Sequence, residues 1–331
     1  MCGIAYSNLN EVLMQFTANP KYEQALVSTL IHIQTHLHEE LPLGELAGRV
    51  GFSPFHFHRI FTEYVGEPVK EYVRRLRLEN SAYRLKISRD PVVRIALEAG
   101  FKTHESFTRA FKKQFGASPK TFRNNFVRAA EHRKRQIRLK YLEQAAYADN
   151  SALLPNRATA VRVNVERLRP ILVAFVRHTG PYESILEPGS KLILLWETLL
   201  KWGDEQGLMD DDSLLIGVPQ DDPTVTPTEK LRFDVGVQVQ EFRSPIGNIG
   251  FQTIGSGWYA VGRHYGSFEN LADTYTHIYD TCVATGKYQL APAPPFEIYR
   301  HSQVSDDLHI HATDVYLAIK PLRETSMTTD F

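Results

Sequence analysis

Arg59 and Arg109 hold the same place in two copies of one short pattern, Phe57-His58-Arg59-Ile60-Phe61 and Phe107-Thr108-Arg109-Ala110-Phe111. Arginine presents a planar fork of N–H donors and stays charged at any physiological pH, which suits it to phosphate oxygens and to the edge of a guanine. Two such residues repeated at a fixed offset have the chemistry of a two-point grip on a polyanion. The plainer alternative is a pair of surface arginines in salt bridges. A second candidate lies far downstream, at Glu297 in the run Pro295-Phe296-Glu297-Ile298-Tyr299. A carboxylate in apolar surroundings is costly unless a cation or hydrogen bonds satisfy it, and aromatic faces attract cations as well. Its plainer alternative is a solvated or salt-bridged strand residue.

The charge distribution supports the first of these readings. The 331 residues carry no formal net charge. Residues 1–140 nevertheless hold 23 Lys and Arg against 13 Asp and Glu, and residues 141–331 hold 15 against 25. Within 41–140 the excess of positive charge is +13. A basic half joined to an acidic one suggests a polyanion-binding module attached to something else. At ~100–200 residues per domain the length suggests about two domains, each able to bury a core. This excludes a disulfide-stapled miniprotein, a collagen-like repeat and a wholly disordered chain. Mean hydropathy is −0.30, and no stretch approaches the ~20 apolar residues of a membrane span. No basic–apolar–small leader stands at the start, so the expectation is a cytoplasmic protein without membrane contact. Cys2 and Cys282 form no Cys-x-x-Cys pair. Met1-Cys2-Gly3-Ile4 has the form of an N-terminal cysteine nucleophile, but Glu11 to Phe16 reads as ordinary helix. No catalytic role is assigned to Cys2, and no cofactor is expected.

The elements that must position the arginines are helices. Tyr22, Leu26, Leu30, Ile33 and Leu37 recur on one helical face. A short helix follows from Leu43 to Val50. Ser53 fits an N-cap and Pro54 the first helical position of the next, which runs to Val65 and stops at Gly66. Val69 to Lys86 predicts a long amphipathic helix with Tyr72, Leu76, Leu78 and Leu85 inward. Further helices are expected from Asp90-Pro91 to Gly100, from His104 to Phe115, and from Ser118-Pro119 onward. The half repeats internally: Val50-Gly51-Phe52 matches Ala99-Gly100-Phe101, Gly66 matches Gly116 and Tyr72 matches Phe122. Each unit is a short helix, a tight turn and a longer helix, the helix-turn-helix pattern.

Two such units in a strongly basic segment point to duplex DNA, because a helix fits the major groove and flanking Lys and Arg neutralise phosphates. The exposed side of the first recognition helix would carry Phe55, His58 and Arg59. That of the second would carry His104, Glu105, Ser106 and Arg109, with Lys112 and Lys113 near phosphate. The long helix would hold the two apart by one DNA repeat, ~34 Å. Phe57, Phe61, Phe107 and Phe111 read as core. Residues 23–125 resemble the DNA-binding domain of the AraC/XylS family of bacterial regulators. The resemblance rests on Leu46-Ala47, Gly51-Phe52-Ser53, His58-Arg59-Ile60-Phe61 and Gly66, then Ile95-Ala96, Gly100-Phe101, Phe107 to Phe111, Phe115-Gly116 and Ser118-Pro119. It implies a monomeric two-motif grip on double-stranded promoter DNA, often with contact to RNA polymerase.

Beyond a linker, the period changes to two. Val161, Val163 and Val165 alternate with polar residues, and Ile171 to Val176, Ser213 to Val218 and Arg232 to Val239 read as strands around a helix from Ser190 to Gln206. Val173 to Glu183 aligns with Tyr259 to Glu269, and Phe233-Asp234-Val235 with Thr313-Asp314-Val315. A duplicated strand–helix–strand–strand unit follows. It would set two half-sheets side by side with a ligand-sized crevice between them. Residues 161–321 resemble the GyrI-like effector-binding domain through the Arg177-His178-Thr179-Gly180-Pro181-Tyr182 turn, its copy from Arg263 to Phe268, and the strand from Pro295 to Tyr299. That resemblance implies a small-molecule pocket lined by aromatics with one buried acid, for a lipophilic or cationic effector, often a lipophilic cation; the domain is also found attached to regulators of multidrug sensing. Glu297 stands at the acidic position, and its counterpart in the first half is Gly217. The candidate lining is Tyr182, Trp196, Phe233, Trp258, Tyr265, Tyr299 and Tyr316. His178 and His264 read as structural. His301, His309 and His311 lack matched carboxylate or cysteine partners, so no metal site is assigned.

The expectation is a multidomain protein. An all-α domain with two helix-turn-helix motifs spans 20–127 and a linker 128–160. An α+β small-molecule-binding domain of duplicated units spans 161–322. Its function would be DNA-binding transcription regulation governed by a small effector. The alternatives are a sheet half that hydrolyses a reactive small molecule, with Glu297 beside Tyr265 or Tyr299 activating water, and one that is a ligand-independent protein contact.

Overall fold

A computed structural model describes residues 20–129, 161–182, 184, 191–210, 212–266, 268–283, 286–300 and 312–322. Cys2, most of the expected linker and His301, His309 and His311 lie outside them. Among the described residues no helix is long and apolar enough to cross a membrane.

The helical half comprises α1 (Pro20–Thr35), α2 (Leu43–Arg49), α3 (Pro54–Val65), α4 (Val69–Ile87), α5 (Val92–Glu98), α6 (His104–Phe115) and a further helix, α7, over 119–129. The repeat seen in the sequence is a repeat in space. Ser53 Oγ accepts the N–H of His56 at the start of α3, and Thr103 Oγ1 accepts that of Ser106 at the start of α6. Gly66 and Gly116 end these helices at φ 76° and 72°, left-handed values that a side chain would strain. Leu26, Leu46, Phe57, Ile60 and Phe61 pack as one core, and Leu78, Ile95, Phe107 and Phe111 as the other. The spacer α4 belongs to both: Tyr72, Val73 and Leu76 enter the first core, Leu78, Ala82 and Leu85 the second.

The other half is one antiparallel sheet: β1 (Val163–Leu168), β2 (Ile171–Thr179), β3 (Leu215–Pro219), β4 (Arg232–Gln238), β5 (Ile249–Ile254), β6 (Gly257–His264), β7 (Tyr288–Leu290), β8 (Phe296–Arg300) and β9 (Ala312–Pro321). The order is β1-β6-β9-β8-β3-β4-β2-β5, with β7 beside β9. Helix α8 (Lys191–Glu205) follows β2, and α9 (Leu271–Cys282) follows β6. The duplicated unit is therefore β2-α8-β3-β4 and β6-α9-β8-β9. The strand preceding each unit pairs with the other: β1 with β6 and β5 with β2. The two half-sheets stand side by side in one continuous sheet. Hydrogen bonding between β3 and β8 runs straight through the seam, pairing Gly217 with Glu297, and α8 and α9 reach that pair from either side through Trp196 and Tyr275. Strand alternation sends Phe175, Ile216, Val261, Phe296, Ile298 and Tyr316 to the opposite face.

The halves touch. Ile31 of α1 packs on the sheet's apolar face, Lys86 of α4 pairs with Asp222, and Val225 joins the second helical core. Phe111 is fully buried against Phe107, Phe115 and Phe122. Phe111→Ala is expected to destabilise by about 3–5 kcal/mol, read as a lower urea midpoint by far-ultraviolet circular dichroism. A loss under about 1 kcal/mol, the scale of a surface change, would contradict this packing.

Candidate functional site

The caps of α3 and α6 fix which side of each helix faces outward. With Phe57, Ile60 and Phe61 turned in, Phe55, His58 and Arg59 are exposed on α3. Phe55 is 84% exposed, a large apolar ring left in solvent at the start of a helix. On α6, Glu105, Ser106, Arg109, Lys112 and Lys113 are exposed and His104 is half-buried. No ion pair among the described residues holds Arg59, Arg109, Lys112 or Lys113. Three residues have local partners as well. The Ser106 hydroxyl donates to the carbonyl of Thr103 at 2.8 Å. The Glu105 carboxyl is held below the usual range by the helix-start N–H and the Thr103 side chain. His104 lies 3.5 Å from the Thr108 hydroxyl.

The second site is built on the seam. Glu297 is 4% exposed. Tyr275 donates to Glu297 Oε1 at 2.8 Å and Tyr299 to Oε2 at 2.6 Å. Trp196 meets the Tyr299 ring edge-on at 5.8 Å, and Phe268 does so at 5.8 Å from the other helix's approach. Tyr182 and Phe233 continue the aromatic wall, with ring centres 5.9 Å apart. A Cβ at Gly217 would come within 2.3 Å of the Tyr299 hydroxyl and 2.7 Å of the Phe233 ring. The counterpart position of Glu297 is thus glycine because the aromatic wall occupies the space.

Of the seven aromatics chosen from the sequence, Tyr182, Trp196, Phe233 and Tyr299 gather in this neighbourhood, while three do not. Tyr316 pairs with Phe296, stacks on it at 4.5 Å and points to the opposite face of the sheet. Trp258 pairs with Ile319, well along β9 from Val315, the partner of Glu297, and packs in the α9 cluster. Tyr265 is 70% exposed. Tyr265 and Tyr316 instead line a cavity of about 860 Å³ at the β1 end of the sheet, together with Arg263, Arg300, Asp314 and His277. Both histidines at the strand ends have local partners: His178 meets Ser184 at 3.3 Å and His264 meets Thr274 at 2.8 Å. Among the described residues no group of His, Cys, Asp and Glu is arranged to hold a metal.

Comparison with known proteins bears on both halves. Residues 162–320 match the GyrI-like small molecule binding domain, and residues 46–125 match a helix-turn-helix domain. The uncharacterised HTH-type transcriptional regulator YbfP of Bacillus subtilis is 37% identical over 36% of this chain and 41% of its own. The right origin-binding protein of Escherichia coli is 38% identical over 29% of this chain and 33% of its own. The chain thus spans well under half the length of these two. The HTH-type transcriptional activator AarP of Providencia stuartii is 33% identical over 31% of this chain, and the match takes in 77% of that protein. The chain belongs to the AraC-type helix-turn-helix regulators. Among solved structures, the C-terminal domain of EcmrR matches over 50% of this chain and all of its own, at 16% identity and a TM-score of 0.41.

Sequence reasoning missed two residues that meet the Glu297–Tyr299 pair in this AraC-type chain. Tyr275 sits in the amphipathic stretch Leu271, Tyr275, Tyr279, where nothing distinguishes it from a core residue. Phe268 precedes that helix in a short 3-10 turn. Their only available signal was position, since both fall just after the duplicated turn. Burial pushes the Glu297 carboxyl above the usual carboxylate range, and the hydroxyls of Tyr299 and Tyr275 offset this in part. Burial also pushes Tyr275 and Tyr299 upward, and the adjacent Glu297 charge adds to it. The folded protein therefore holds the Glu297 proton more tightly than the unfolded chain, so ionisation costs stability as pH rises above ~4.3. Glu297→Gln should melt higher than the wild type at pH 8, and the two should converge near ~4. Melting curves across this range test it; a lower melting point for the variant at pH 8 would mean that the fold stabilises the carboxylate.

Proposed function

We propose that the protein is a one-component transcription regulator working in the cytoplasm. Its helical half grips promoter DNA through α3 and α6, and its sheet half binds a small lipophilic cation in the crevice over the seam. Membership of the AraC-type family supports the DNA reading, and so do Arg59 and Arg109, exposed at matched positions of two capped helices. Lys112 and Lys113 add positive charge on the same helix, where they would neutralise phosphate.

The observation that carries the effector reading is Glu297. Its carboxylate is buried among aromatic rings, and both its oxygens accept from tyrosine hydroxyls. No Lys or Arg among the described residues pairs with it. Two neutral donors leave a full negative charge in a low-dielectric pocket, where a ligand cation gains from the charge and from the ring faces together. The same site with protonated Glu297 takes a neutral aromatic less selectively. Contact with RNA polymerase and a role in multidrug sensing belong to this proposal as expectations from the family.

The test has two parts. A site would be selected from random duplexes with the full chain. Arg59→Ala and Arg109→Ala should each weaken binding to it by ~1–3 kcal/mol at fixed salt. If both bind as tightly as the wild type, these helices do not read the DNA. Tetraphenylphosphonium would then be titrated against tryptophan fluorescence, since Trp196 borders the pocket. Saturable quenching that weakens at least ~10-fold in Glu297→Gln supports the counter-charge role, ~1.4 kcal/mol or more. Absence of saturation overturns the cation reading, and consumption of a ligand would move the sheet half to catalysis.

A further inference from the structure

Residues 221–231 leave the sheet between β3 and β4 and lie against the helical half. Lys86, near the end of α4, pairs with Asp222 and donates to the Thr224 hydroxyl at 2.7 Å. Val225 packs into the second helix-turn-helix core. Thr226 is buried, beside Glu79 of α4. Lys230 stands 3.6 Å from Glu67, in the turn that joins α3 to α4. One segment therefore touches the end of the first unit, the spacer and the core of the second unit.

The base of the segment is locked on the sheet. The Arg232 guanidinium chelates the Asp221 carboxylate at 2.6 and 2.8 Å, and that carboxylate also accepts the backbone N–H of Arg232 at 2.8 Å. The Tyr182 hydroxyl reaches both ends. It lies 2.9 Å from the Asp221 carbonyl and 3.2 Å from that of Arg232, to which it can donate, and it accepts the Asp221 N–H at 3.3 Å. The same ring forms part of the aromatic wall with Phe233 and Trp196. Two buried atoms at the junction, Glu79 Oε1 and Arg232 Nη1, make no hydrogen bond in this arrangement. Such atoms are costly to leave unpaired, so this junction is the least satisfied part of the contact.

We propose that residues 221–231 couple the pocket to the helical half: a ligand that shifts Tyr182 reseats this segment, and the segment moves α4, on which the spacing of Arg59 and Arg109 depends. The proposal rests on the reading of the crevice as an effector pocket and of the helices as DNA-binding. It requires the ligand to prefer one seating, since equal affinity for both would shift nothing.

The full chain would be tested with its selected duplex and with tetraphenylphosphonium as probe. In the wild type, saturating probe should change the duplex Kd by at least ~5-fold. Asp222→Asn removes the charge that faces Lys86 and touches neither the pocket nor the exposed face of α3 or α6. Tyr182→Phe removes the hydroxyl and keeps the ring. Both should bring the ratio to within ~2-fold of unity, about the scale of one weak surface ion pair, with melting curves confirming that each folds. Coupling is reciprocal. Duplex alone should therefore change amide exchange in 221–231 and around Tyr182 in the wild type, whereas Asp222→Asn should confine the change to the helices. The proposal is overturned if both variants keep the wild-type ratio, or if duplex leaves exchange in 221–231 untouched. A probe that fails to bind sinks only the cation assignment, and the exchange experiment still decides the coupling. A chain that selects no duplex sinks the regulator reading and this proposal with it.

Discussion

Helix α4 must satisfy three neighbours at once, and the rest of the structure depends on that. Its first half buries Tyr72, Val73 and Leu76 in one helix-turn-helix core, and its second half buries Leu78, Ala82 and Leu85 in the other. A helix that serves two cores cannot rotate without opening one of them, because packed interiors change by discrete steps. Its remaining face carries Arg75, Glu79 and Lys86. Arg75 bridges Glu67 and Glu79, while Lys86 reaches across to Asp222. Burial pushes Glu79 up to about 7 against the pull of Arg75, so the third face is polar, desolvated and only partly satisfied. The two recognition helices are thus spaced by an element whose position is negotiated with the sheet half.

The seam of the sheet imposes a second constraint. An antiparallel pair at β3 and β8 brings residues of the two duplicated units face to face, and only one of them can fill the space above. Glycine at 217 and glutamate at 297 resolve this in opposite directions. Tyr299 then leans over Gly217 and donates back to Glu297. Burying a carboxylate costs several kcal/mol, which two neutral hydrogen bonds offset only in part. The protein tolerates that cost at Glu297 and surrounds it with rings.

Most of the helical half was legible in the sequence because its signals are local. Ser53 and Thr103 as caps, Gly66 and Gly116 as stops and the paired phenylalanines fix each element within a few residues, and the internal repeat fixes their arrangement. The sheet's strands were legible for the same reason, by alternation and duplication. What the sequence did not give was the side of the sheet on which an aromatic would stand relative to Glu297. Tyr316 and Tyr299 look alike in the chain; register places one beside Phe296 on the apolar face and the other beside the carboxylate. Nor could it reveal Tyr275, whose helix spacing is that of an ordinary core residue. Which strands meet at the seam escaped too, because pairing between β3 and β8 joins residues that no local pattern connects.

Duplication has also been used unequally, and that bears on how a signal could pass. Each half carries the same cross-strand ion pair, Arg177 with Asp234 and Arg263 with Asp314. In the first half the aspartate is fully buried, Gln220 and Gln252 also donate to it, and Tyr64 of α3 lies close enough to Arg177 to feel its charge. In the second half Arg263 is 48% exposed and borders the open cavity. The first unit has thus become the face that meets the helices, while among the described residues none of the helical half covers Arg263 of the second. The aromatic cluster lies on the seam between the two units, with the carboxylate supplied by the second unit and Tyr182, Trp196 and Phe233 by the first. Among the described residues it is the first unit that leads onward to α4, through Asp222 and Val225. The asymmetry gives a symmetric fold a direction, from the seam through one half to the helices.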